Sequence, residues 1–206
     1  MTKFFLVRHG QTEWNRIERF RGRVDIPLNE TGRAQARAVA ERLAPEQISA
    51  VFSSPLSRAL ETAKPIAEKH GLSVEIMDAL TDLDFGSWQG LTPQEVSEKY
   101  PETYSDWLFH PERVKMPGGE SLDEVRTRVL AAVKDLAPRF EDQTVVLVSH
   151  KAVCKVLLCA VLDLDNSHFW QIEQDNVALN VFDWNPKLGF VVQLINDTCH
   201  LSHVPD

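Results

Sequence analysis

Arg8-His9-Gly10 follows directly on a short apolar run, Phe4-Phe5-Leu6-Val7. Arg8 carries a planar fork of donors suited to phosphate oxygens. His9 carries a ring nitrogen that can attack, and Gly10 lets the backbone turn and approach a ligand closely. A second apolar run, Thr144 to Val148, ends in Ser149-His150 and repeats the arrangement. If the two runs are neighbouring strands, both imidazoles face one crevice. Transfer of a phosphoryl group needs an in-line nucleophile and positive charge around the equatorial oxygens. His9 can be that nucleophile, forming a phosphohistidine. Arg8 and Arg58 can clamp the oxygens, and Arg58 also lies near the start of a helix, where dipole and free N–H groups favour an anion. His150, held as a donor, can stabilise the same charge. This set needs no metal and no other cofactor. Metal binding by His9 and His150 is the rival, but it lacks a third ligand at recognisable spacing, and the arginines would repel a cation.

These residues must be held by regular elements, and the pattern supplies them. A four-residue apolar run ending in Gly reads as a buried strand of a parallel sheet, and ligands bind at the carboxyl edge of such sheets. Thr31 to Leu43 reads as a helix with Thr31 as its cap, and Ala50 to Phe52 as a second strand. Ser54-Pro55 opens another helix that Pro65 should kink or split. Ser73 to Ile76 is a third strand, nearer an edge. Ser121 to Glu124 is a capping box opening the longest helix, to about Phe140. Thr144 to Val148 belongs at the sheet centre. Lys151 to Leu162 is apolar almost all round, a buried helix. Val177 to Trp184 and Phe190 to Ile195 form a hairpin about Asn185-Pro186-Lys187. Alternating strands and helices predict one α/β domain over 1–206, in three layers, with a mostly parallel central sheet flanked by helices. Residues 78–116 interrupt the pattern with aromatics (Phe85, Trp88, Tyr100, Tyr104, Trp107, Phe109). They read either as local packing or as a wall or lid over the active edge.

Composition narrows the partners. With 206 residues, 43% hydrophobic and 25% charged, the chain is an ordinary globular protein with a sizeable core. A formal net charge of −8 argues against nucleic acid and against an anionic membrane surface. Arg8, Arg16, Arg19, Arg21 and Arg23 nevertheless crowd together, and a cationic pocket in an acidic protein suits a small anionic, phosphorylated metabolite; a solvated basic loop is the alternative. Arg21 in particular could hold a second anionic group such as a carboxylate, or pair with Asp25 or Glu18 at the surface. Cys154, Cys159 and Cys199 are odd in number and lack CxxC spacing, so a reducing, cytoplasmic setting is expected. A homodimer is compatible with the sequence.

Five blocks in order carry a family resemblance. Leu6 to Asn15 (LVRHGQTEWN), Ser53 to Ala59 (SSPLSRA), Leu83 to Gly90, Gly118-Gly119-Glu120-Ser121 and Val148-Ser149-His150 together resemble the histidine phosphatase superfamily, the phosphoglycerate-mutase-like proteins. The resemblance implies a metal-independent phosphatase with the same roles at Arg8, His9, Arg58 and His150. It also implies a phosphate contact by Asn15 and backbone near the substrate at Gly22. It places the proton-shuttling acid at Asp82, where the family usually has Glu. Asp is one methylene shorter, and a misplacement near 1 Å costs on the order of a hundredfold in rate; Asp84 is the reserve. The tail Asp197-Thr198-Cys199-His200-Leu201 and Asp175-Asn176 resemble the metal-independent phosphoserine phosphatase branch, which implies that His200 reads the substrate carboxylate. The expected activity is hydrolysis of small phosphomonoesters, phosphoserine first among them. The alternatives are a phosphoglycerate mutase and a non-catalytic phospho-ligand-binding protein that has lost its acid.

Overall fold

The computed structural model describes residues 1–204. Its centre is a six-stranded sheet of order β3-β2-β4-β1-β5-β6. The strands are β1 (Thr2–Arg8), β2 (Ile48–Ser53), β3 (Val74–Ile76), β4 (Thr144–Ser149), β5 (Leu179–Asn185) and β6 (Gly189–Asp197). The first four run parallel, β5 lies antiparallel on β1, and β6 closes the hairpin. The helices are α1 (Glu13–Arg16), α2 (Glu30–Leu43), α3 (Ser57–Lys69), α4 (Pro93–Lys99), α5 (Pro101–Phe109), α6 (Leu122–Arg139) and α7 (Lys151–Val161).

The apolar runs are continuous because both faces of the sheet are covered. Phe4 and Leu6 of β1 pack with Val145 and Leu147 of β4 against α6 and α7. Phe5 and Val7 pack with Val146 and Val148 against Val39, Leu43, Ala63 and Ile66 of α2 and α3. Alternate side chains thus enter two separate cores, which makes the three layers. β4 lies between β2 and β1, and β3 is at the edge, both as expected.

Several local expectations change. Asn29, not Thr31, caps α2, its side chain accepting from Gly32 N. Pro65 does not split α3, which runs unbroken through it. Tyr100 ends α4, and Pro101 at once begins a further helix, α5, that the pattern did not reveal. Within 78–116, Trp88 is fully buried and its ring meets those of Phe20, Tyr100, Tyr104 and Trp107. A fully buried large apolar side chain contributes roughly 1.5–3 kcal/mol, so this insertion is anchored to the core. No helix among the described residues is long and apolar enough to cross a membrane.

Candidate active site

The register of β1 on β4 assembles the site. Arg8 pairs with Ser149, so the next residues, His9 and His150, emerge side by side from the carboxyl edge. Their ring centroids are 5.1 Å apart. A slip of one residue would turn one ring to the opposite face.

His9 is fully buried. Its Nδ1 lies 2.6 Å from Gly10 O. A carbonyl can only accept, so Nδ1 carries the proton and Nε2 keeps its lone pair. That Nε2 has no partner. Burial pushes the His9 pKa well below 6.5, and the charges of Arg58, His150, Arg8 and Arg21 push it the same way. The ring is therefore neutral at neutral pH, with one bare nitrogen. Gly10 serves this geometry differently from expectation. A Cβ there would lie 2.6 Å from Gly32 O, so its smallness lets the loop dock on α2.

Arg8 is 5% exposed and lines a cavity of about 380 Å³. Its Nη1 donates to Gln174 O at 2.7 Å, while its Nε is buried without a partner. Arg21 lines the same cavity, its Nε is also unpartnered, and burial beside Arg8 pushes its pKa down to about 10. It makes no ion pair among the described residues; Asp25 instead accepts from Ser57 N and Oγ. Of the five clustered arginines, Arg8, Arg19 and Arg21 reach the cavity, whereas Arg16 pairs with Glu13 and Arg23 with Glu120. Asn15 lines the cavity, its Oδ1 accepting from Thr12 N and Oγ1, both at 2.9 Å.

Arg58 is expected at the phosphate, and the structure shows which protein groups its donors meet. It is fully buried and engaged in four directions. Nη1 donates to Val24 O at 2.9 Å, and Nη2 to Gly22 O at 2.7 Å and to Asp82 Oδ2 at 3.1 Å. Nε donates to His150 Nδ1 at 3.2 Å. Most of its donors thus have protein partners. His150 is held from two sides. With Nδ1 accepting, its proton sits on Nε2, which donates to Ser54 Oγ at 2.8 Å. Both ring nitrogens have protein partners, and burial pushes its pKa well below the imidazole range. Gly22 contributes a carbonyl to Arg58 rather than backbone to the cavity. Its φ of +53° needs glycine, and a Cβ would sit 2.4 Å from Gln89 Oε1.

Asp82 is 5% exposed and lines the cavity. Oδ1 accepts from Leu83 N at 2.9 Å and Oδ2 from Arg58. Burial raises its pKa against the opposing charges of Arg58 and Arg21. Asp84 faces elsewhere: its carboxylate accepts from Gly86 N and pairs with Arg23. His200 lies in the turn Cys199–Leu201, which is held by Asp197 accepting from Cys199 N and by Leu201 packing into the core on the α2 side of the sheet; both its ring nitrogens are buried without a partner, and, like His9 and His150, it is not among the side chains that line the cavity. The sequence did not point to Lys155, Trp170, Phe169 or Lys151, all of which line the cavity, and gave no role to Asn176, which lines it too. Asn176 Nδ2 donates to His9 O at 3.2 Å. A lone lysine inside an apolar helix was the available signal for Lys155. Phe85, Pro93 and Trp107 bring the insertion to the cavity wall.

Comparison with known proteins places the chain in a family. The family model of the histidine phosphatase superfamily, branch 1, matches residues 4–198. Phosphoserine phosphatase 1 of Hydrogenobacter thermophilus is 39% identical over 202 residues, covering 98% of this chain and 95% of that protein. The solved structure of Bacillus stearothermophilus YhfR superposes with a TM-score of 0.93 at 29% identity, covering 98% of this chain and all of that one. A mutant of Entamoeba histolytica phosphoserine phosphatase in complex with phosphoserine gives a TM-score of 0.88 at 29% identity, covering 98% and 100%. With the match running from the first strand almost to the end of the described tail, the chain belongs to the histidine phosphatase superfamily.

Proposed function

We propose that this protein hydrolyses small phosphomonoesters through a phosphohistidine on His9, with phosphoserine the first substrate to try. The observation that carries this reading is the bare, buried Nε2 of a neutral His9, whose ring feels the charge of Arg8, itself buried with an unpartnered Nε. Nε2 attacks phosphorus as the P–O bond to the alkoxide breaks. Arg8, Arg21 and the Asn15 amide receive the non-bridging oxygens. Asp82, whose raised pKa favours the acid form, gives its proton to the departing oxygen. The resulting carboxylate takes a proton from water as that water attacks the phosphohistidine, releasing inorganic phosphate and restoring both groups. Arg58 and His150 hold Asp82 and the ring of His9 in place.

Relatives named phosphoserine phosphatase support the substrate class. Three free cysteines support a reducing setting such as the cytoplasm. The test is phosphate release from a panel of phosphomonoesters, with and without a strong chelator, combined with rapid quench. An acid-labile adduct on His9 and chelator-insensitive release are expected, because the cations of Arg8 and Arg21 supply the positive charge. Loss on chelation with recovery on adding a divalent ion would refute the metal-free mechanism. Phosphoryl transfer between hydroxyls without phosphate release would assign a mutase instead.

A further inference from the structure

Lys155 stands in the middle of α7, among apolar residues apart from Lys151 one turn before it, and its side chain is 1% exposed. Its Nζ has no hydrogen-bond partner, yet the residue lines the cavity that holds Arg8 and Asp82. Two rings hold the ammonium: the Trp170 centroid is 4.8 Å from Nζ and the Phe169 centroid 5.2 Å. The nearest carboxylate oxygen, Glu173 Oε2, is 3.7 Å away, beyond hydrogen-bond reach, and the other oxygen of that carboxylate is held by Lys151 at 2.5 Å. A buried charge is costly unless it is both paired and hydrogen-bonded, and this ammonium has two rings and one carboxylate oxygen at ion-pair distance but no hydrogen bond. None of the phosphoryl chemistry uses this group, since His9, Arg8, Arg21 and Asp82 already supply it.

We infer that Lys155 is a specificity-determining residue that binds a carboxylate on the body of the substrate, so that the preferred substrates are phosphorylated carboxylic acids. The half-exposed Glu173 marks the position: a carboxylate already approaches Nζ there, its other oxygen held by the partly exposed Lys151. The inference rests on the phosphatase reading for its substrate class but not for its test. Burial pushes the Lys155 pKa down to about 8 against the attraction of Glu173, and Lys151 and Arg8 push it the same way as burial. Those three are the charged groups that face it, Lys151 from its own helix, Arg8 from β1 and Glu173 from the segment after Trp170.

Two matched pairs isolate the carboxylate. Phosphoserine differs from phosphoethanolamine, and 3-phosphoglycerate from glycerol 3-phosphate, essentially by that one group. Dissociation constants for the four are measured by calorimetry in the His9→Ala background, which removes turnover from the measurement. Adding Lys155→Met should cut the preference for the carboxylated member of each pair at least about tenfold. Lys155→Arg should retain part of it. A structural defect would weaken both members alike, and that result, or no change in either ratio, overturns the inference. If Lys155→Met does not fold, the pH dependence with the lysine in place decides. Between pH 7 and 9 the preference for 3-phosphoglycerate over glycerol 3-phosphate should fall several-fold, since a group with a pKa of about 8 is only about one-tenth charged a unit higher. A flat ratio over that range rejects the assignment. Absence of phosphate release by the unmodified enzyme on all four compounds would count against the phosphatase reading alone.

Discussion

Arg58 Nε–H points at His150 Nδ1, 3.2 Å away. This contact sets the tautomer of His150 and leaves Arg58 Nη2 to grip Asp82 Oδ2. One guanidinium therefore orients both the second histidine and the acid. A lysine cannot reproduce that fork. Arg58→Lys is expected to lower kcat by about a hundredfold or more, the cost of a misplacement near 1 Å, with a smaller effect on KM. In ¹⁵N spectra the unprotonated nitrogen of His150 should be Nδ1 in the parent and should lose that definition in the variant. Equal damage to KM and kcat would instead assign Arg58 to direct substrate binding.

His9→Ala should abolish turnover, with kcat reduced by several orders of magnitude. It should not destabilise the fold. The imidazole is buried with an unsatisfied Nε2, a situation that costs about 1–3 kcal/mol; its loss offsets the loss of the Gly10 hydrogen bond. Thermal melting should show a Tm equal to or above that of the parent. Retention of more than a few per cent of activity would be incompatible with a covalent intermediate on this ring.

Asp82→Asn should slow release of a poor leaving group, such as an alkyl alkoxide, by about 10²–10⁴-fold. An activated aryl phosphate needs little protonation and should be affected far less. Asp82→Glu is predicted to lower activity as well. The present carboxylate is fixed by Leu83 N and Arg58 Nη2, and a longer chain must leave at least one of these contacts. Steady-state rates on a matched alkyl and aryl substrate decide it. Equal loss on both would move the acid elsewhere.

The pH profile follows from the same two groups. His9 must be neutral, and its pKa lies well below 6.5, so the acid limb of kcat/KM falls below the ordinary histidine range. Asp82 must be protonated, and its pKa is raised above 3.8, so activity on alkyl phosphates declines as pH rises through that raised value. The alkaline limb should vanish with an aryl substrate or with Asp82→Asn. A limb that persists in Asp82→Asn belongs to another group.

Much of this was legible in the chain itself, for definite reasons. β1 and β4 declare themselves because both faces are buried, so their side chains are apolar without alternation. His9 and His150 then follow from strand ends alone. Residue type and spacing report how many donors Arg58 has, but not that Val24, Gly22, Asp82 and His150 take up most of them. Lys155 was hidden because a helix buried all round looks like uniform core until the rings of Phe169 and Trp170 are seen around its one charge.

The bond from Arg8 to Gln174 O joins residues 166 apart in the chain, and that from Arg58 to His150 joins residues 92 apart. The site is thus a product of long-range contacts, which form slowly because chain closure precedes any gain from them. Local helices such as α6 can form early without creating any part of it. During refolding, catalysis should appear only with the slowest phase, when β1 has settled between β4 and β5. Enzymatic activity in this protein is therefore a reporter of complete chain condensation, and helical signal recovered before it measures intermediates with no chemistry.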